Sequence, residues 1–503
     1  MTPVSLSETP AAEIIADRRD TTNFSLGRRV RSGVSWNVSS SLIAELIRFV
    51  RSVVLARLLV PEDFGLFGMA LTIVAATNAL TTLGLSRTIV ANKFETTDEL
   101  KAHLDTVWSV ELIRGLVIAL LVSASAFPIA RFYGQAQLKV IVPVLGLVTL
   151  VQGCQNIGLS ILRKQISFAR IFWYEVTTNT IGIALTVALA VVMRNVWALV
   201  IGLLLTAALG TSLSYVFHSY RPRVRFEPQA LRRALSLGKL TLAIAVASYV
   251  TNMADNVIVG RLLGTAALGN YSLAFNISSA PISVLVFSLS AVLFPAYAEI
   301  TTQRPKSLEL AFIKVFSIAL MIVVTITVPL FLLAGEVVEL LFGARWTTAG
   351  TVLRVLALVI PLRALSLIIS NFFWGLNRPR EVTVGTTLEA VVFLAALYPL
   401  IRTLGLTGAA WAGMIAYAFA CVNRIMALNR IIPGISSKLF RISLSTLAAA
   451  ATGLLLAVVS LSFLTSPLPR VILGGLLSTI VPPVILLLLR ADLRSWLIEW
   501  VVP

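Results

Sequence analysis

Charged residues are scarce in this sequence, and their scarcity excludes an ordinary soluble protein. They make up 13% of the 503 residues, whereas soluble globular domains carry about 25%. Hydrophobic residues make up 57%, and the mean hydropathy is +0.91. Long polar stretches are also lacking: the two longest are residues 1–32 and 218–239, and neither is large enough for a soluble domain. The composition therefore predicts an integral membrane protein.

Catalytic and metal-binding motifs are absent as well. The chain has two cysteines, Cys154 and Cys421, each within an apolar run, so it has neither the spacing of a metal site nor a disulfide framework,. It contains no GxxxxGK[ST], HExxH or GxSxG motif, whose spacings serve ATP, zinc and acyl-transfer chemistry. We therefore expect no enzymatic activity, no metal and no resident cofactor.

Acidic residues are outnumbered by basic ones, 23 against 41, and the formal net charge is +18. Such a balance raises nucleic acid as a partner, but the basic residues are spread over short alternating loops, so we expect membrane lipids and no nucleic acid. With the N-terminus in the cytoplasm, the basic bias of the loops favours the same side, and both termini are predicted to be cytoplasmic. The heaviest clusters on that side are Arg28, Arg29 and Arg31; Arg221, Arg223, Arg225, Arg232 and Arg233; and Arg424, Arg430, Lys438 and Arg441.

Apolar runs long enough to cross a bilayer follow one another along the chain. A spanning helix needs roughly 20 mostly apolar residues, and this criterion predicts an all-α protein with about fourteen spans. Their limits are 34–57, 64–88, 107–130, 138–162, 171–193, 195–217, 240–262, 271–296, 311–334, 350–374, 382–401, 406–428, 442–464 and 469–489.

The chain also contains an internal repeat. Residues 54–70 (VLARLLVPEDFGLFGMA) align without a gap with residues 258–274 (IVGRLLGTAALGNYSLA) at an offset of 204, which places Gly65 on Gly269. Repeats of this kind are typical of transporters whose site lies between two related halves. The predicted organisation is a cytoplasmic tail (1–32), a first six-helix lobe (33–217), a basic cytoplasmic linker (218–239), a second six-helix lobe (240–430), and two added helices with an amphipathic cytoplasmic end (431–503).

Charged side chains inside spans indicate where a site lies, because each costs at least ~2.5 kcal/mol on insertion scales and usually faces a cavity or a partner. The repeat offset places Arg48 on Asn252 and Arg51 on Asp255. We expect these four residues to line one central cavity, where Arg51 and Asp255 could form a pair that opens and closes. Glu45 fits either this cavity or a static pair with Arg48 at i and i+3.

Other charged and polar residues in the spans are weaker candidates. Arg363 follows Pro361, where a kink is expected, and is a further cavity candidate. For Glu111, Arg114 and Arg354 the plainer alternative is snorkelling to the interface, and for Asn276 it is helix packing. Glu389 lies inside its span without an obvious neighbour in sequence. His103 and His218 are predicted in solvated loops, and Trp346 as an anchor at the membrane interface.

The sequence resembles bacterial polysaccharide transporters at several segments. These are ARLLVPEDFGLFGMA (56–70), LGLSRTIV (83–90) and DNVIVGRLLGTAALGNYSLA (255–274). They look like the signatures of Wzx-type flippases of the multidrug/oligosaccharidyl-lipid/polysaccharide superfamily. The resemblance implies two six-helix lobes around a central cavity that opens alternately to either side. It also implies movement of an undecaprenyl-diphosphate-linked oligosaccharide to the outer leaflet of the bacterial cytoplasmic (inner) membrane, for exopolysaccharide, O-antigen or lipopolysaccharide synthesis.

The resemblance extends to site chemistry and partners. Cavities of the family tend to be cationic, and Arg48, Arg51 and Arg363 are the arginines that could bind a diphosphate, since guanidinium binds phosphate oxygens bidentately. Coupling to H⁺ or Na⁺ is plausible for the superfamily, with Asp255 as the carboxylate, and a polymerase and export machinery are possible partners. Two alternatives stay open: a cation-coupled drug or metabolite exporter of the same superfamily, and a non-transporting membrane scaffold of a polysaccharide synthesis complex.

Overall fold

A computed structural model describes residues 43, 45–81, 96–165, 167–228, 231–232, 238–303, 307–462 and 473–489. The described residues contain helices and no strand, which confirms the all-α fold. The helices are α1 (45–58), α2 (Pro61–Thr81), α3 (Thr97–Tyr133), α4 (Leu138–Gly153), α5 (Gly158–Lys164), α6 (Phe168–Met193), α7 (Trp197–Phe217), α8 (Gly238–Gln303), α9 (Leu308–Leu332), α10 (Ala334–Phe342), α11 (Thr347–Gly375), α12 (Pro379–Leu404), α13 (Leu406–Ile431), α14 (Ile435–Ser462) and α15 (Gly475–Leu489).

Within the described residues, eight helices are long and apolar enough to cross a membrane, and there are nine if the bent pair α4–α5 forms one span. That pair corresponds to the predicted span 138–162, and its two helices meet at an angle of 59°. The predicted spans 240–262 and 271–296 both fall within α8. The chain is a multi-pass membrane protein, and the number fourteen stays a prediction.

The chain divides into two compact units by proximity of its backbone. Of the described residues, unit 1 contains those within 1–51 and 66–253, and unit 2 contains those within 52–65 and 254–503. The predicted lobes and linker stay predictions. The predicted tail (1–32) and amphipathic end (491–503) lie outside the described residues.

In unit 1, α3 begins earlier than the predicted span 107–130. It starts at Thr97, where the Thr96 side chain accepts a hydrogen bond from the Glu99 backbone N–H (3.2 Å), as a helix N-cap does. The additional turns are polar and resemble a loop by hydropathy. They are covered by residues 218–227, which we call the strap. Three backbone N–H groups of the strap donate to α3 side chains: Arg223 to Asp105 (3.0 Å), Arg225 to Ser109 (3.0 Å) and Glu227 to Thr106 (3.1 Å).

The prediction that both histidines lie in solvated loops is wrong. His103 lies within α3 and is buried, and His218 is buried at the start of the strap. The ring of His218 occupies the space that a side chain on Gly158 would need, and its Nδ1 accepts the Tyr220 backbone N–H (3.0 Å). The Tyr220 hydroxyl in turn donates to the Asp105 carboxylate (2.6 Å). A tertiary contact, rather than local sequence, thus removes these residues from water.

The burial of His218 gives a pH-dependent contribution to stability. Burial, and then the nearby Arg170 and Arg221, lower the pKa of His218 below its ordinary value. The unfolded chain therefore binds more protons, so this contribution is complete above about pH 6.5 and is lost as the pH falls from there through the lowered folded-state pKa. We expect the melting temperature of the wild type to fall more steeply than that of His218→Gln between pH 7.5 and pH 5. Parallel curves for the two proteins would contradict this assignment.

In unit 2, an aromatic cluster sets the positions of α8, α9 and α11. Tyr297, Phe312 and Phe372 are fully buried, and the Phe372 ring lies 5.0 Å from that of Tyr297 and 4.7 Å from that of Phe312. Aromatic pairs at such spacings contribute beyond the area that they bury. This core holds α11, which carries Arg363, in a fixed register.

The two copies of the repeat share a backbone break and a close contact. Gly264, with φ 86° and ψ −173°, interrupts α8, and its equivalent Val60 lies in the two-residue break between α1 and α2. Five residues after Val60, Gly65 lies so close to the other copy that an added Cβ would be 1.9 Å from the Thr265 carbonyl oxygen. A Cβ on Gly269 would likewise be 1.9 Å from the carbonyl oxygen of Pro61. Because Pro61 and Thr265 are themselves equivalent, the contact is reciprocal.

Candidate functional site

The predicted site residues of the first span lie on α1, in unit 1. Arg48 forms an i,i+3 ion pair with Glu45, and its side chain is 54% exposed. Arg51 is half-buried, its Nε is buried without a hydrogen-bond partner among the described residues, and its positive charge interacts with that of Arg48. Asn252 is exposed on α8 and also belongs to unit 1. The static Glu45–Arg48 pair is thus present, while Arg51 is not explained by it.

Asp255 lies in unit 2, where it is buried and hydrogen-bonded. Its Oδ2 accepts from the Tyr271 hydroxyl (2.7 Å), and its Oδ1 accepts from the Asn256 backbone N–H (2.8 Å). Tyr271, fully buried, was not predicted as a site residue. Asp255 and Tyr271 stand nine residues before and seven residues after the break at Gly264. This spacing is the signal in the sequence that could have indicated the pair. The pairing of Asp255 with Arg51 stays a prediction.

Arg363 is held by two contacts within unit 2. Its guanidinium donates to the Ser279 hydroxyl (2.9 Å) and lies 5.3 Å from the centroid of the Phe275 ring. Phe275 in turn stacks with Tyr271 at 6.2 Å. A cation at this distance from an aromatic ring is attracted by it, so α8 orients the predicted arginine of α11.

A second charged group in unit 2 consists of Glu389, a predicted site residue, and Arg424, which was not predicted as one. Glu389 of α12 accepts from Arg424 of α13 (2.9 Å), and both residues are buried. Arg424 also donates to the hydroxyls of Ser366 (2.5 Å) and Thr386 (3.1 Å). Gly385 leaves space for the guanidinium, since an added Cβ would be 3.3 Å from Nε. Arg424, which was predicted in a basic cluster, is therefore a buried and paired residue, and Glu389 has a partner that is distant in sequence.

The charged groups of unit 2 form one electrostatic network. Arg363 interacts electrostatically with both Asp255 and Glu389, and Tyr417 interacts with all three of these residues and with Arg424. Two carboxylates and two guanidiniums therefore lie within electrostatic range of one another in unit 2, and Glu389 and Arg424 are in direct contact. Such groups in membrane helices are costly and mark substrate or ion paths.

The remaining predicted residues are less enclosed. Glu111 and Arg114 form an i,i+3 ion pair on α3 (2.6 Å). Asn276 and Arg354 are exposed, on α8 and α11. None of these four joins the network of unit 2 among the described contacts.

Trp346 is fully buried, which corrects its prediction as an interfacial anchor. Its indole N–H donates to the carbonyl of Ala56 (2.9 Å), and its ring meets that of Phe64 edge-on at 5.1 Å. Arg57 donates to the carbonyl of Leu340 and to that of Leu341 (2.8 Å) at the end of α10, where a cation complements the helix dipole. These contacts join residues 52–65 to the rest of unit 2.

Comparisons with known proteins place this architecture in a family. A family model described as "Polysaccharide biosynthesis protein" matches residues 54–351. The chain is 25% identical over 406 residues to the succinoglycan biosynthesis transport protein ExoT of Rhizobium meliloti (strain 1021), covering 76% of this chain and 80% of that protein. It is 26% identical over 343 residues to the lipopolysaccharide biosynthesis protein WzxC of Escherichia coli (strain K12), covering 68% and 69%.

A solved structure shares the fold. The lipid II flippase MurJ, in an inward closed conformation, superposes with a TM-score of 0.73 at 16% identity, over 91% of this chain and 99% of that one. The family model spans both copies of the repeat and more than half of the chain. The resemblance drawn from the repeat segments is thereby confirmed, and the chain belongs to the polysaccharide biosynthesis protein family of membrane transporters.

Proposed function

We propose that this protein translocates a polyprenyl-diphosphate-linked oligosaccharide across the bacterial cytoplasmic membrane, for synthesis of exopolysaccharide, O-antigen or lipopolysaccharide. The observation that carries the proposal is the presence of arginines on α1 and on the membrane-spanning helix α11 of a chain in this family. Guanidinium is a planar donor that binds phosphate oxygens bidentately and stays charged in apolar surroundings. Arg48, Arg51 and Arg363 would bind the diphosphate, and Arg51 has an unsatisfied donor available for it.

The proposed mechanism is alternating access of a cationic cavity between two six-helix lobes. Proton or sodium coupling belongs to this proposal, with Asp255 as the carboxylate and Tyr271 as its hydrogen-bond donor. Both termini would be cytoplasmic, and a polysaccharide polymerase and export machinery would act after translocation. The protein would therefore be a transporter and not an enzyme.

A cation-coupled exporter of the same superfamily is the second candidate. The buried carboxylates Asp255 and Glu389 favour it, because such exporters need a titratable acid at membrane depth. A passive scaffold has no need for these groups. The two transport functions differ in substrate, so an experiment that follows the lipid-linked intermediate separates them.

The test is deletion of the gene and complementation with variants. We expect lipid-linked intermediates to accumulate in the cytoplasmic leaflet of the deletion strain, and the wild type to restore their export. Arg48→Ala, Arg51→Ala and Arg363→Ala should each reach the membrane and lower export roughly tenfold or more, as loss of a charge-assisted hydrogen bond of about 1.5–3 kcal/mol implies. Arg402→Ala, an exposed arginine that contacts the Tyr398 hydroxyl, is the matched control and should export normally. Unchanged polysaccharide with altered drug sensitivity would favour the exporter.

A further inference from the structure

The strap (residues 218–227) presents an unusual surface for a connection between helices. Its backbone is fixed to α3 by the three bonds from Arg223, Arg225 and Glu227 described above, so the side chains of these residues do not hold it in place. Alternating with the arginines, Val224 and Phe226 are 69% and 52% exposed. The result is a short non-helical segment in which cationic and apolar side chains alternate, all of them outside the packed core of unit 1.

The arginines of the strap differ in what they contact. Arg221 is occupied at the end of α7: it donates to the carbonyls of His218 (2.9 Å) and Tyr220 (3.1 Å) and lies 5.5 Å from the centroid of the Tyr215 ring. Arg223 is exposed, and Arg225 makes a loose contact of 3.7 Å with Glu227, its side chain 56% exposed. Arg223 and Arg225 therefore present their charge outward.

The strap lies at the ends of two membrane-spanning helices. It directly follows α7, a membrane-spanning helix that ends at Phe217. It rests on Asp105, Thr106 and Ser109, near the start of the membrane-spanning α3. The 36 residues of that span are about 54 Å long, against a hydrocarbon core of about 30 Å. The helix is therefore longer than the hydrocarbon is thick, and we expect its polar first turns, with the strap on them, to project into the headgroup region.

We propose that the strap is a binding surface for anionic phospholipid headgroups, with Arg223 and Arg225 on the phosphates and Val224 and Phe226 in the acyl-chain boundary. Basic residues beside a spanning helix attract acidic lipids, and apolar side chains among them add interfacial binding. Since the strap is fixed to α3, bound lipid would hold this end of unit 1 at a set depth. The proposal rests on the membrane-spanning helices and not on the transported substrate.

The diphosphate of a lipid-linked substrate has the same chemistry, but the apolar residues favour a lipid surface. An isolated diphosphate site would enclose its ligand with donors, whereas Val224 and Phe226 are exposed on the same segment. A free diphosphate would gain nothing from them. The apolar pair therefore distinguishes the two occupants in an experiment.

The test measures lipid-induced thermal stabilisation of the full-length protein in detergent. We titrate dioleoyl phosphatidylglycerol, dioleoyl phosphatidylcholine and inorganic pyrophosphate at low salt, on the wild type, R223Q/R225Q, V224S/F226S and the control R131Q. Arg131 is an exposed arginine at the opposite end of α3. We expect phosphatidylglycerol to raise the melting temperature, with half-saturation shifted at least about fivefold upward in both strap variants and unchanged in R131Q. Phosphatidylcholine should have little effect.

Two outcomes would overturn the proposal. The first is a response to phosphatidylglycerol that is the same in R223Q/R225Q as in the wild type. The second is stabilisation by pyrophosphate that R223Q/R225Q abolishes and V224S/F226S leaves unchanged, which would assign the strap to a diphosphate ligand instead. The melting temperature of each variant without lipid shows whether it is folded, because the fixed backbone of the strap should keep it close to that of the wild type.

Discussion

Replacement of Arg424 by alanine should destabilise the protein by about 3–5 kcal/mol, the range found when one partner of a buried ion pair is removed. The change leaves the Glu389 carboxylate buried without its guanidinium, and it also removes donors from the hydroxyls of Ser366 and Thr386. Water cannot replace these contacts, because Glu389 is only 6% exposed. The free energy of unfolding, measured by denaturant titration in mixed micelles, should fall by this amount.

An exposed ion pair of unit 2 provides the matched control. Lys438 and Glu309 join α14 and α9 at 2.6 Å, and the side chains are 55% and 34% exposed. Exposed pairs are worth about 0–1 kcal/mol, so Lys438→Ala should have little effect. The double variant Glu389→Gln/Arg424→Met, which removes both charges, should be more stable than Arg424→Ala alone. If Arg424→Ala and Lys438→Ala cost the same, Glu389 is not dependent on its partner.

Replacement of Gly269 by valine should disrupt the reciprocal contact between the repeat copies. A Cβ there would lie 1.9 Å from the Pro61 carbonyl oxygen, and the two backbones would have to move apart by roughly 1 Å, in a region where overpacking costs about 1–3 kcal/mol or more. The neighbouring atoms belong to backbone, so no side chain can rotate away. We expect a lower melting temperature and a loss of export in the complementation assay.

Gly65→Ala tests the symmetry of this contact. Its Cβ would meet the Thr265 carbonyl oxygen at the same 1.9 Å, so the two glycines should be similarly intolerant. Gly413→Ala is the control: this glycine also lies inside a helix, α13, but nothing stands within 4 Å of an added Cβ, and alanine is the better helix former by about 1 kcal/mol. A normal melting temperature for Gly65→Ala, alongside that of Gly413→Ala, would contradict the close approach.

A short turn in the sequence can predict which residues of two neighbouring helices form a pair. Glu389 and Arg424 stand sixteen residues before and nineteen after Gly405, where the tight connection of α12 to α13 makes these helices antiparallel neighbours. The sequence therefore predicts that the two residues lie at a similar distance from the turn along their helices. Near the end of a span, Arg424 resembles an exposed interfacial charge. It nevertheless continues a buried row of small residues that includes Ala416 and Ala420 and faces the core of unit 2.

The sequence by itself determined the membrane class, the all-helical fold, the repeat and the family, because these depend on hydropathy over whole spans and on local motifs. Only the tertiary structure decided which polar groups are partners. Tyr271 is ordinary in its own helix and becomes part of the site by donating to Asp255; the strap resembles a solvated linker until its backbone bonds to α3. Such contacts depend on the rotation and register of neighbouring helices, and packing across the fold sets these quantities where local periodicity leaves them free.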